Sequence, residues 1–134
     1  MMKNINPTET NAWQKLTNHY STVKDLHLKS LFSTDKTRKE KFTINFNEFE
    51  FDFSKNRITE ETIEHLLELA NEVDLKSAMD AYFSGEKINK TEKRAVLHTA
   101  LRNQSANEIF VEEKNVMPEI KDTLIKMESF TNKV

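Results

Sequence analysis

Between residues 42 and 53 the hydrophobic period of this chain drops to two. Phe42, Ile44 and Phe46 alternate with Thr43 and Asn45, and Phe49, Phe51 and Phe53 alternate with Glu50 and Asp52. Successive side chains of a strand point to opposite faces, so each run carries one apolar face. Only Asn47-Glu48 separates the runs, which fits a tight connection even though glutamate is not the preferred second residue of a two-residue loop. The spacing predicts an antiparallel hairpin over about 42–53 whose phenylalanines share one buried face.

Elsewhere the apolar residues recur every three or four positions. Trp13, Leu16, Tyr20 and Val23 predict a first amphipathic helix after the polar start Pro7-Thr8-Glu9-Thr10, and Leu28, Leu31 and Phe32 a short second one. The charged run from Asp35 to Lys41 reads as a solvated helical turn. Thr59 is an N-cap, Glu60 and Glu61 suit the start of the helix dipole, and Ile63, Leu66, Leu67 and Ala70 form one stripe. Asp74 can cap the next helix, striped by Leu75, Ala78, Met79 and Tyr82 and ended by Gly85 in the left-handed conformation. Thr91 is expected to cap a further helix carrying Ala95, Val96, Leu97, Ala100 and Leu101. Glu108-Ile109-Phe110-Val111 reads as a small strand with no evident partner, and a last helix runs from about Val116 through Ile120, Leu124 and Met127, with Pro118 tolerated in its first turn. The fold class is mainly α with a small β-hairpin, and 134 residues suffice for one core.

Composition narrows the chemistry. Twenty basic and 22 acidic side chains leave a net charge of -2, which offers no global attraction for nucleic acid or anionic lipid. No cysteine is present, so disulfides and thiolate chemistry are excluded. The N-terminus lacks the apolar stretch of a signal peptide and no run approaches a membrane span, so a cytoplasmic protein is expected. Gly85 is the sole glycine, so a Gly-rich phosphate loop cannot be built from these residues.

His19, His27, His65 and His98 are scattered without zinc-type His or Cys spacing, so no metal site is expected. His65 falls off the apolar stripe and reads as a solvated surface residue, and His98 as a hydrogen-bonded structural one. Glu60/Glu64 and Glu68/Glu72 face the same way at i,i+4 but share one wet face, unlike the two environments that acid-base catalysis needs. Lys36, Arg38, Lys39 and Lys41 form a basic cluster that Asp35 and Glu40 interrupt. No catalytic, substrate-binding or metal residue is assigned within the chain.

The stretch from Phe83 to Ser105, FSGEKINKTEKRAVLHTALRNQS, resembles a signature of the N-terminal part of glucose-6-phosphate isomerases, close to FSGEKIN-T-RAVLH-ALRN. Asp52-Phe53-Ser54-Lys55-Asn56 is similar to that family's D-[YF]-SKN segment and Asn115-Val116-Met117-Pro118-Glu119 to its DVMPE segment. Trp13, Leu31-Phe32 and Lys126-Met127 also fall where the family has similar residues, so the resemblance covers essentially the whole chain. Gln104 stands where arginine is common, and Glu112-Glu113-Lys114-Asn115 replaces the usual DGKD turn, losing a glycine.

The resemblance implies a cytosolic homodimer that interconverts glucose 6-phosphate and fructose 6-phosphate in glycolysis and gluconeogenesis without a metal or organic cofactor. A glutamate base would move a proton between C1 and C2 through a cis-enediol, with histidine and lysine assisting at the ring oxygen. In that family these groups and the phosphate grip come from later subdomains of an α/β sugar-isomerase-type, three-layer αβα fold. Residues 1–134 would then be a single N-terminal helical segment, inactive alone, of a protein several times longer. The alternative is a standalone helical protein-interaction module derived from the isomerase fold.

Overall fold

The computed structural model describes residues 4–105 and 107–133. The signal-peptide reading of residues 1–3 and the chain-end reading of residue 134 fall outside the described residues. The chain divides into two compact units, one over Ile5–Val73 and one over Asp74–Val134.

In the first unit a 3-10 turn, Pro7–Glu9, leads to helix α1, Asn11–Val23, whose N-cap Thr10 accepts the Trp13 amide. The expected core stripe of α1 is only half right. Ala12 and His19 are buried, whereas Trp13 and Tyr20 are 39% and 61% exposed. A stripe drawn from hydrophobicity alone leaves out histidine, yet an imidazole packs well once its nitrogens find partners. Those partners lie on helix α4, Glu60–Glu72, and they turn α1 toward them. Thr59 caps α4 as expected, with Thr62 completing a reciprocal capping box.

Helices α2, Leu28–Thr34, and α3, Arg38–Lys41, follow α1. The solvated turn expected over 35–41 does form, but Arg38 within it is buried. Its Nε donates to the Ser54 carbonyl at 2.8 Å and its Nη2 to those of Asn56 at 2.8 Å and Ile58 at 3.0 Å. The guanidinium also lies over the Phe42 ring, 4.5 Å from its centroid. Arg38 therefore ties α3 to the segment that leaves the hairpin.

That hairpin is the one expected: β1, Thr43–Phe46, pairs antiparallel with β2, Phe49–Asp52, in the register Ile44 to Phe51 and Phe46 to Phe49. Asn47 takes a positive φ of 51° in the turn, a conformation asparagine tolerates. Burial of the apolar face is the part that fails. Phe42 at its base is buried and stacks edge-on against Phe53 at 5.7 Å, but Ile44, Phe46, Phe49 and Phe51 are 57–76% exposed. Alternation puts side chains on a common face; only a second layer can bury them.

The second unit begins with helix α5, Leu75–Ser84. Asp74 stands at its N-cap position but makes no side-chain cap, because its backbone is left-handed at φ 58°. Gly85 ends α5 at φ 87°, as expected. The helix expected from Thr91 is absent until α6, His98–Leu101. Asn89 and Arg94 exchange backbone hydrogen bonds at 3.2 Å, and the Asn89 side chain takes the Glu92 amide at 3.0 Å, so these groups serve a loop instead. The expected strand finds its partner locally: β3, Phe110–Val111, pairs with β4, Lys114–Asn115, through Glu112 and Glu113 at φ 48° and 67°. Both turn residues are left-handed, so the hairpin forms without the family's glycine. Helix α7, Met117–Thr131, starts where expected, with Pro118 in its first turn and Met117 buried. Among the described residues, no helix is long and apolar enough to cross a membrane.

Candidate functional site

Helices α1 and α4 meet through polar groups in opposite chain order, which makes the pair antiparallel. At one end the Glu72 carboxylate accepts the Asn11 and Ala12 amides at 3.0 and 2.8 Å, placing a negative charge on the N-terminus of α1. In the middle Lys15 Nζ reaches Glu68 Oε2 at 2.9 Å, and this bond to Lys15 is the main cause that holds the Glu68 carboxyl below its ordinary pKa. At the other end His19 Nε2 lies 2.7 Å from Thr62 Oγ1.

This end gathers the densest set of reactive side chains in the first unit. His19 Nδ1 is 3.4 Å from Glu61 Oε2, and His65 Nε2 is 3.7 Å from Glu61 Oε1. The two imidazole centroids stand 5.4 Å apart at an interplanar angle of 76°. His65 Nδ1 is buried without a hydrogen-bond partner, Glu68 Oε2 being 3.5 Å away. Two imidazoles facing one carboxylate can share a proton or hold a cation. Sequence reading separated these residues: His65 is not a solvated surface group, its side chain being 18% exposed, and His19 is nearly enclosed at 4%. The i,i+4 pair Glu61/His65 was the available signal, but its third member sits on another helix. Nor do Glu68 and Glu72 belong to a purely wet face, since both hold α1.

The other candidates disperse. Lys41 bridges Glu60 at 2.8 Å and Asp35 at 3.1 Å, contacts that raise its pKa, while the Thr37 hydroxyl first and then Lys41 lower that of Asp35, and Lys39 pairs with Glu50 at 3.3 Å. With Arg38 buried, three of the four cations of the basic cluster, Arg38, Lys39 and Lys41, are spent on internal partners. His27 stands exposed at the start of α2 without capping it.

In the second unit a groove of about 830 Å3 is lined by Tyr82, His98, Arg102, Asn103 and Ile109 among others. His98 is exposed in it, contrary to the structural role expected, and Arg102 donates to the His98 carbonyl at 3.1 Å. Asn103 is occupied by Ser105, accepting its amide at 2.9 Å and its hydroxyl at 2.6 Å. The groove offers one cation, one imidazole and one carboxylate, Glu108, which accepts a hydrogen bond from Asn115 Nδ2 at 2.9 Å.

Comparison with known proteins fits the signature that runs through this unit. Residues 52–134 match the family described as phosphoglucose isomerase. Over 133 residues, 99% of its length, the chain is 51% identical to the glucose-6-phosphate isomerase of Christiangramia forsetii. It spans 24% of the length of that relative. With more than half of its residues matched to one family and that likeness carried across nearly all of the rest, the chain belongs to the phosphoglucose isomerase family.

Proposed function

We propose that the chain serves as the N-terminal portion of a glucose-6-phosphate isomerase that interconverts glucose 6-phosphate and fructose 6-phosphate, with the catalytic base and phosphate grip supplied by residues outside these 134. The observation that carries this reading is the 51% identity held over 133 residues to a protein of that name. The isomerisation needs a carboxylate within hydrogen-bond reach of the carbon acid and an anchor for the phosphate. Within the chain Glu68, Glu60 and Glu72 are engaged with Lys15, Lys41 and the N-terminus of α1, Glu61 faces two imidazoles, and Glu108 at the groove accepts from Asn115, which supports placing the base elsewhere.

Two apolar surfaces support a role as one part of a larger assembly. The hairpin face of Ile44, Phe46, Phe49 and Phe51 is exposed, as are Leu124, Ile125, Met127 and Phe130 of α7. Patches of this kind mark surfaces that meet other protein. The remaining length of the isomerase accounts for them without a separate interaction module. The finer picture is a single N-terminal helical segment of a three-layer αβα enzyme. That enzyme works in the cytoplasm as a homodimer, in glycolysis and gluconeogenesis, without cofactor, nucleic acid or membrane.

A coupled dehydrogenase assay on the 134-residue chain and on the full polypeptide that contains it tests the proposal. Turnover of fructose 6-phosphate is expected from the full polypeptide alone. Turnover by the short chain, lost in His98→Ala, would move the active site into the groove; inactivity of the full polypeptide would overturn the activity itself.

A further inference from the structure

The cluster of His19, Glu61 and His65 is not used by the isomerisation proposed above, and it differs from an ordinary ion-paired helix surface in two respects. Both imidazoles turn a nitrogen to the same carboxylate, His19 Nδ1 at 3.4 Å and His65 Nε2 at 3.7 Å. The opposite ring nitrogens each face an acceptor that would orient the ring. The Thr62 hydroxyl, 2.7 Å from His19 Nε2, already takes the Thr59 amide at 3.0 Å and can pass its own proton to Thr59 Oγ1 at 3.1 Å. It is then free to accept His19 Nε2–H, which leaves the Nδ1 lone pair directed at Glu61. His65 Nδ1, buried and otherwise unpartnered, faces Glu68, whose carboxylate Lys15 holds in place. An outward N–H held by a hydroxyl or carboxylate is the arrangement that fixes metal-binding histidines.

We infer that His19 Nδ1, Glu61 and His65 Nε2 form a three-ligand site for a divalent transition-metal ion of the zinc class, with water in the fourth position, bridging α1 and α4. Two nitrogens and a carboxylate suit such an ion, whereas Mg2+ and Ca2+ take oxygen ligands. One ligand atom from each residue falls within 4.8 Å of the others. Tetrahedral ligands at bonds of about 2.1 Å stand roughly 3.4 Å apart, and each histidine nitrogen is near that distance from one Glu61 oxygen, His19 Nδ1 from Oε2 and His65 Nε2 from Oε1. To hold one ion the carboxylate must turn so that a single oxygen faces both nitrogens, and the two rings must close on each other. Glu61, with its side chain 63% exposed, can follow them, and a small cleft beside the cluster lets an ion in from solvent. The ion would act as a staple between two helices, with no part in the isomerisation chemistry.

The test is a Zn2+ titration of the full chain after chelator treatment, read by calorimetry and by the ring-nitrogen NMR signals of the four histidines. One equivalent of Zn2+ is expected to bind, to raise the melting temperature, and to shift His19 and His65 while leaving His27 and His98 in place. Glu61→Gln and His65→Gln should each weaken binding by roughly tenfold or more. Absence of saturable uptake, binding unchanged in both variants, or shifts confined to His27 and His98 would overturn the site. The NMR readout on the unaltered chain decides the matter even if a variant misfolds.

Discussion

Replacing Arg38 by alanine should cost the first unit about 3–5 kcal/mol, at the upper end of single substitutions. The side chain is 3% exposed and its charge is met by three carbonyls and by the face of Phe42. A charge-assisted hydrogen bond contributes about 1.5–3 kcal/mol, and its loss weighs most where the acceptor stays dry. Ser54 is 1% exposed, so its carbonyl would be orphaned at close to the full penalty, whereas the Asn56 carbonyl can turn to water at a fraction of it. The stacking on Phe42 adds about 1 kcal/mol, and the emptied volume adds a cavity term. Arg38→Lys should recover roughly half, since an ammonium can reach one or two of the carbonyls but lacks the guanidinium fork. Trp13 is the sole tryptophan and lies on α1 of the same unit, so its fluorescence reports unfolding of this unit in urea. With a slope of about 1–3 kcal/mol/M, the alanine variant should unfold at least ~1 M earlier. A loss under about 1 kcal/mol in Arg38→Ala, or equal losses in the alanine and lysine variants, would refute the claim that three oriented carbonyls hold this cation.

Gly85→Ala should destabilise the second unit by about 2–4 kcal/mol, combining about 1–2 kcal/mol of left-handed strain at φ 87° with a collision between the new Cβ and the Phe110 carbonyl oxygen 2.7 Å away. Thermal unfolding by circular dichroism measures it, and a change below about 1 kcal/mol would show that β3 yields freely. Asp35, Asp52, Glu68 and Glu119 all have pKa values held below their ordinary 3.8 or 4.5, chiefly by hydrogen bonds from Thr37, Ser54, Lys15 and Lys114 respectively. Each contributes stability that is complete above its ordinary pKa and is lost as pH falls through the lower folded value, so the urea midpoint should be level at neutral pH and drop below pH ~4. Lys41, raised by Glu60 and Asp35, gives the opposite sign, its contribution being lost only as pH climbs past its ordinary 10.5. A midpoint unchanged between neutral pH and pH ~3 would contradict the carboxylate contacts.

Local chemistry made much of the backbone legible from sequence. Thr59 caps α4, Gly85 closes α5 and Pro118 stands in the first turn of α7 because each depends on groups a few residues away. The β1–β2 hairpin and the common face of its apolar residues followed from alternation, since a period of two puts them on one side, while the register is set by the short turn between the strands. The signature from Phe83 to Ser105 likewise carried the family, although the same stretch misled about structure: residues 90–94 use their hydrogen bonds to close a loop rather than extend α6 backwards. Burial and the meeting of distant groups were decided by the tertiary structure. Arg38 looked like one cation among several until three carbonyls from beyond the hairpin converged on it. His19 and His65 lie on separate helices, and only the antiparallel packing of α1 on α4 brings both to Glu61. The physical reason is range: caps, turns and alternation are settled within a few bonds, whereas desolvation and side-chain convergence depend on which surfaces the folded chain puts together.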